Sequence, residues 1–99
     1  MSSFVTFKEH AREDIARAFE WYDSLKSGLG DRFLTELNRA INQIGRNPNL
    51  FQVRRKNIRL GLLRLFPYLI VYEIEGNQII IYKVIHAHRH PAKRFSSKK

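Results

Sequence analysis

The chain has 99 residues, 43% of them apolar and 12% aromatic, with a formal charge of +9; that is enough apolar surface for one core and too little length for two. It has no cysteine, which excludes disulfides, thiolate metal sites and a cysteine nucleophile and fits a reducing compartment. No apolar run approaches the roughly 18 residues that span a bilayer, and the start Met-Ser-Ser-Phe-Val lacks the pattern of a signal peptide, so one cytoplasmic domain over 1–99, without membrane contact, is expected.

In chain order, "SFVTF" (3–7) is β-branched and aromatic and reads as a short strand. From Glu9 to about Leu25, Ala11, Ile15, Ala18, Phe19, Tyr22 and Leu25 fall at helical spacing, with Arg12, Glu13, Arg17, Glu20 and Asp23 off that stripe. "SGLG" breaks this helix, and Gly28 and Gly30 need only be turn residues. A second helix carries Phe33, Leu37, Ala40, Ile41 and Ile44 on one face, until Gly45 and Asn47-Pro48 stop it. The two helices form a hairpin.

Beyond Pro48 the period changes from helical to alternating. "NIRLGLLRL" sets Ile58, Leu60 and Leu62 against Arg59 and Gly61, "YLIVYEI" (68–74) is nearly all apolar, "EGN" turns the chain, and "QIIIYKVIH" returns it. The expected fold is α+β: an N-terminal strand, an α-helical hairpin, then an antiparallel meander of three to four strands with the helices on one sheet face. On "YLIVYEI", Ile70, Tyr72 and Ile74 share the helix side, whereas Leu69, Val71 and Glu73 share the other. That other face is apolar and uncovered, which implies a partner.

Charge placement says which kind of partner. Residues 1–45 hold six Lys or Arg against seven Asp or Glu, whereas 46–99 hold twelve against two, so the C-terminal half, with a basic tail from about residue 91, favours an anionic RNA, DNA or protein segment.

"WYDSLKSGLGDRFLTELNRAINQIGRNP" followed by "RLGLLRLFPYLIVYEIEGNQIIIYKVIHAHRHP" closely resembles the RelE/ParE superfamily of bacterial toxins from type II toxin-antitoxin modules, closer to the ParE branch. The resemblance implies a compact toxin encoded beside an antitoxin whose C-terminal segment wraps it; the open apolar face and the basic charge beside it suit a segment that is acidic and amphipathic. It also implies one of two targets: RelE-like members cut mRNA in the ribosomal A site, and ParE-like members poison DNA gyrase.

RNA cleavage at a 2′-hydroxyl needs a base, cations for the phosphorane and an acid for the leaving oxygen. Carried over from RelE-like ribonucleases, the two strand lysines fall on Leu60 and Leu62, the strand arginine on Leu69, the later arginine on Arg89 and the C-terminal tyrosine on Phe95. Leucine side chains take no proton and neutralise no phosphate. The resemblance therefore implies a toxin that binds a gyrase-type target; the rivals are a ribosome-dependent mRNA interferase using Arg89, His86, His88 or Arg64, and a non-toxic antitoxin-binding module.

His86, His88 and His90 recur at every second position, a spacing that holds zinc or nickel when a strand runs straight. No acidic or thiol ligand lies near them in sequence, and Arg89 and Lys93 oppose a cation, so neither metal nor cofactor is expected. The run "RRK" (54–56) reads as a solvated loop. With Arg59 and Arg64 it rims the open face opposite Lys93 and Arg94, and target or antitoxin contacts are expected from Arg54, Arg55, Arg59, Leu69, Val71, Arg89, Lys93, Arg94 and Phe95. Trp21 and Tyr22 read as core or hairpin contacts.

Overall fold

The computed structural model describes residues 4–88. In chain order the elements are β1 (Phe4–Phe7), α1 (Glu9–Leu25), α2 (Leu29–Arg46), β2 (Val53–Arg55), β3 (Ile58–Leu62), β4 (Tyr68–Glu75) and β5 (Gln78–His86). One sheet has the order β1-β5-β4-β3-β2, with β1 parallel to β5 and every other pair antiparallel. The α+β architecture read from the sequence is the one observed, and the N-terminal strand joins the sheet as expected. Among the described residues no helix is long and apolar enough to cross a membrane.

The helix hairpin packs on one sheet face through the residues that the helical period selects. Ala11, Ala18, Phe33, Leu37 and Ile44 from the helices meet Ile70, Tyr72, Ile79, Ile81 and Val84 from β4 and β5, all nearly inaccessible to water. Burying the branched and aromatic side chains among them contributes about 1.5–3 kcal/mol each. At one end of this layer Tyr22, Phe33, Phe66 and Tyr68 form an aromatic cluster with ring centroids 4.9–6.0 Å apart, within the range in which edge-to-face contacts add to area burial. Tyr22 is thus a core contact as expected, whereas Trp21 is 46% exposed.

Two local devices close the hairpin. Asp23 near the end of α1 accepts the N–H groups of Gly28 (3.0 Å) and Gly30 (3.1 Å) through one oxygen, and so satisfies donors at the start of α2 that have no partner within the helix. Gly28 takes a left-handed φ of 92°, as a turn glycine does. Gly30 does not turn the chain, which departs from the sequence reading: it lies within α2, and a Cβ there would stand 2.7 Å from the Phe19 ring and 2.8 Å from the Phe19 carbonyl oxygen. It is the residue that lets the two helices approach.

The strands depart from simple alternation at one place. Val71 pairs with Lys83 but Tyr72 pairs with Ile81, so Tyr82 is the extra residue of a β-bulge. The bulge changes the parity of β5. Ile79 and Ile81 face the helices before it and Val84 after it, while Lys83 is left exposed. The basic run 54–56 also differs from the expected loop: Arg54 and Arg55 belong to the edge strand β2, and Lys56 takes the following turn with φ 52°.

Candidate functional site

The sheet face away from the helices carries a groove of about 730 Å³. Its floor comes from alternate positions of three strands, Ile58, Leu60 and Leu62 of β3, Leu69 and Val71 of β4, and Ile85 of β5. Phe51 and Arg54 contribute from the β2 side, Tyr82 and Lys83 from the bulge, and Ala87 from beyond β5. Strand pairing explains the convergence, because Leu60 lies opposite Val71, Leu62 opposite Leu69, and Leu69 opposite Ile85. Leu62 is 56% exposed and Val71 and Leu69 are half-buried, so an apolar floor faces water. Leu60, Leu62 and Leu69 thus gather in one place.

Arg54, Tyr82 and Lys83 supply the groove's polar side chains. The Tyr82 hydroxyl donates to Glu73 at 2.7 Å. This bond holds the phenol above its usual value near 10, with further contributions from lost hydration and from the charges of Glu73 and Glu75. A phenol raised in the folded state contributes its stabilisation fully below about pH 10 and loses it as pH rises through the folded value. Glu73→Gln removes the charge and keeps an acceptor. Its alkaline titration, followed by phenolate absorbance, is expected to begin at lower pH than that of the unsubstituted chain; coincident curves would show that Glu73 does not act on Tyr82.

The other expected site residues are dispersed. Arg55 and Arg64 are exposed, and neither lines the groove. Arg59 does not rim the open face. Alternation along β3 sets it beside Gly61 on the helix side and opposite the buried Tyr72, where its guanidinium donates to the Phe51 carbonyl and, at 3.0 Å, to Asn49 Oδ1. The Tyr72 hydroxyl donates to the Pro48 carbonyl at 3.2 Å. Arg59 and Tyr72 together tether the segment that follows α2, and burial raises the Tyr72 phenol despite the opposing Arg59 charge.

His86 lies away from the groove, in a cleft of about 440 Å³ whose walls include His10, Asp14, Arg17, Trp21 and Tyr68. Its ring packs edge-on to Tyr68 at 5.1 Å, and its Nδ1 accepts the His88 N–H at 3.1 Å. His88 is exposed on the turn after β5. Arg89, His90, Lys93, Arg94 and Phe95 lie outside the described residues, and among the described ones no three His, Cys, Asp or Glu side chains cluster as metal ligands do.

Sequence reasoning missed Lys83, Tyr82 and Asp14. Two successive polar residues, Tyr82-Lys83, inside an otherwise apolar strand are the signal that marks the first two, since strict alternation would drive Lys83 into the helix layer. Asp14 gave no such signal. It is 9% exposed and accepts the backbone N–H of Val84 at 3.0 Å, Arg17 at 2.8 Å and His10 at 3.3 Å.

The chain is similar in structure to a chain of the chromosomal ParDE toxin-antitoxin system from P. aeruginosa, with a TM-score of 0.74, 13% identity, and coverage of 86% of this chain and 96% of that one. It is also similar to a chain of the toxin-antitoxin complex RelBE2 from Mycobacterium tuberculosis (TM-score 0.63, 20% identity, 87% and 99% covered). A mutant of the E. coli toxin RelE in the free state is a third such structure (TM-score 0.57, 17% identity, 99% and 97% covered). At these identities the likeness shows a shared fold. No curated protein matches the sequence. Residues 5–91, however, match the model of the family described as ParE toxin of type II toxin-antitoxin system, parDE, and the chain therefore belongs to the ParE toxin family.

Proposed function

We propose that this toxin acts by occupying a protein target in the cytoplasm, DNA gyrase, and that a cognate antitoxin silences it by laying an apolar segment with acidic flanks into the groove. The observation that carries the reading is the groove floor, where Leu60, Leu62 and Leu69 stand together; the resemblance to RelE-like nucleases implies cations at these positions, and leucine supplies none. Such a floor buries a partner's apolar anchors, and Arg54 and Lys83 at its margin meet carboxylates. The family membership and the fold shared with a ParDE chain support both halves.

One observation favours the rival interferase. Arg54, Tyr82 and Lys83 line the same groove, so a cation and a proton carrier lie within one concavity. Their placement on β2 and the β5 bulge, away from the strand positions matched to the nucleases, argues for recognition of a bound segment instead.

The antitoxin half is tested by titrating the chain with the C-terminal segment encoded by the neighbouring reading frame at about 50 and 300 mM salt. Apolar burial holds the complex, and exposed rim charges act mainly on encounter. The association rate is therefore expected to fall by about tenfold or more, with dissociation changing less than about threefold. A complex whose dissociation carries the salt dependence, or a neighbouring product without an acidic tail, would contradict the reading.

A further inference from the structure

The outer face of α2 carries a regular stripe of arginines. Arg32, Arg39 and Arg46 recur every seven residues, are exposed, and form one stripe, because seven residues of an α-helix return to nearly the same azimuth. Successive members are about 10.5 Å apart along the axis. Thr35, Asn38 and Asn42 flank them, and with Arg39 and Arg46 they line a shallow depression of about 390 Å³.

A helix face selected only for solubility carries charges of both signs interspersed, as α1 does with Glu9, Arg12, Glu13, Arg17 and Glu20. The exposed positions of α2 hold neither lysine nor glutamate, and Asp31 in the first turn is their one acid. The residue types are also poor choices for helix stability. Asn and Thr are weak helix formers, and Arg32 sits near the N-terminus, where the helix dipole disfavours a cation. Arg46 in the last turn is favoured by the dipole, but neither Arg32 nor Arg39 gains from it. Arg39 meets the buried Glu36 only at 3.8 Å.

We propose that this face of α2 binds duplex DNA. Its side chains are those that serve such contact: arginine for phosphates and guanine edges, asparagine for adenine edges or phosphates. A single helix of 18 residues presents them on a convex surface of the kind that enters the B-DNA major groove, whereas the deep, narrow major groove of A-form RNA excludes it. The face belongs to the helix layer on the far side of the sheet from the apolar groove, so a segment in that groove leaves it open. The proposal stands whether or not gyrase is the target.

The test uses the full chain and a fluorescent duplex of about 20 base pairs of arbitrary sequence, with affinity followed against salt. Arg32→Gln/Arg39→Gln/Arg46→Gln keeps helix-compatible side chains and removes three charges. It is expected to weaken binding at least about 30-fold at about 100 mM salt and to flatten the log-log salt slope by about 2 to 3. Arg12→Gln/Arg55→Gln/Arg64→Gln removes the same charge elsewhere and is expected to stay within about threefold of the unsubstituted chain. A second variant, Thr35→Glu/Asn42→Glu, adds acids to the face on good helix formers and is expected to lose as much as the α2 triple variant. Equal losses from both triple variants would overturn the proposal, as would absent duplex binding or RNA duplexes bound as tightly as DNA. Loss of antitoxin affinity with DNA binding intact would also overturn it, by assigning the face to a protein.

Discussion

Val71→Glu is expected to weaken binding of the antitoxin segment by at least about 100-fold while leaving the fold intact. Val71 lies on the groove floor between Leu60 and Lys83, its partners on the two neighbouring strands. In the free protein the introduced carboxylate is half exposed and pairs with Lys83. Once a segment covers the groove, the same carboxylate is taken from water beside leucine, which costs at least about 3 kcal/mol. Val71→Ile conserves shape and polarity and is expected to stay within about threefold. Titration of both variants by calorimetry, with thermal melting as the fold control, checks the claim; undiminished binding by Val71→Glu would place the segment elsewhere.

Asp14→Ala is expected to destabilise the protein by about 2–4 kcal/mol. β1 covers only the first half of β5, ending where Phe7 meets Ile81, while β5 continues to His86. The Val84 N–H therefore points to α1 instead of a strand, and the Asp14 carboxylate is its partner at 3.0 Å. Truncation orphans that buried donor, at about 1–3 kcal/mol, and removes the acceptor that also holds Arg17 and His10. Asp14→Asn keeps one acceptor and is expected to lose about half as much. Urea unfolding measures both. A loss below about 0.5 kcal/mol for Asp14→Ala would show that water replaces the carboxylate and that the α1–β5 clasp is not structural.

The fold was legible because its two periods are clean. Ala11, Ala18 and Phe33 fall on helical stripes, and Leu69 and Val71 alternate with Ile70 and Tyr72, so spacing separates the two strand faces and the charge of Glu73 says which of them is open. The rim was less legible because it depends on irregularities. The bulge at Tyr82 turns Lys83 outward, against the alternation that Ile79 and Ile81 establish. Arg59 reads as a surface charge by residue type, although its own strand's alternation sets it on the helix side with Gly61, where carbonyl and amide oxygens near α2 satisfy its guanidinium. Asp14 was hidden for a different reason: its partner is a backbone N–H 70 residues away, exposed by the shortness of β1, and no side-chain pattern reports that. Gly30 looked like a turn residue because its function is to present no Cβ to Phe19.

Induced expression of the chain without its antitoxin, with DNA breaks and mRNA integrity followed in the same culture, tests the central claim most directly. The leucine floor of the groove predicts growth arrest with an SOS response and gyrase-linked DNA breaks, while messages stay intact at early times. Rapid loss of translation with mRNAs cut at ribosomal A sites would contradict the account and assign the chemistry to Arg54, Tyr82, Lys83 or the C-terminal cations.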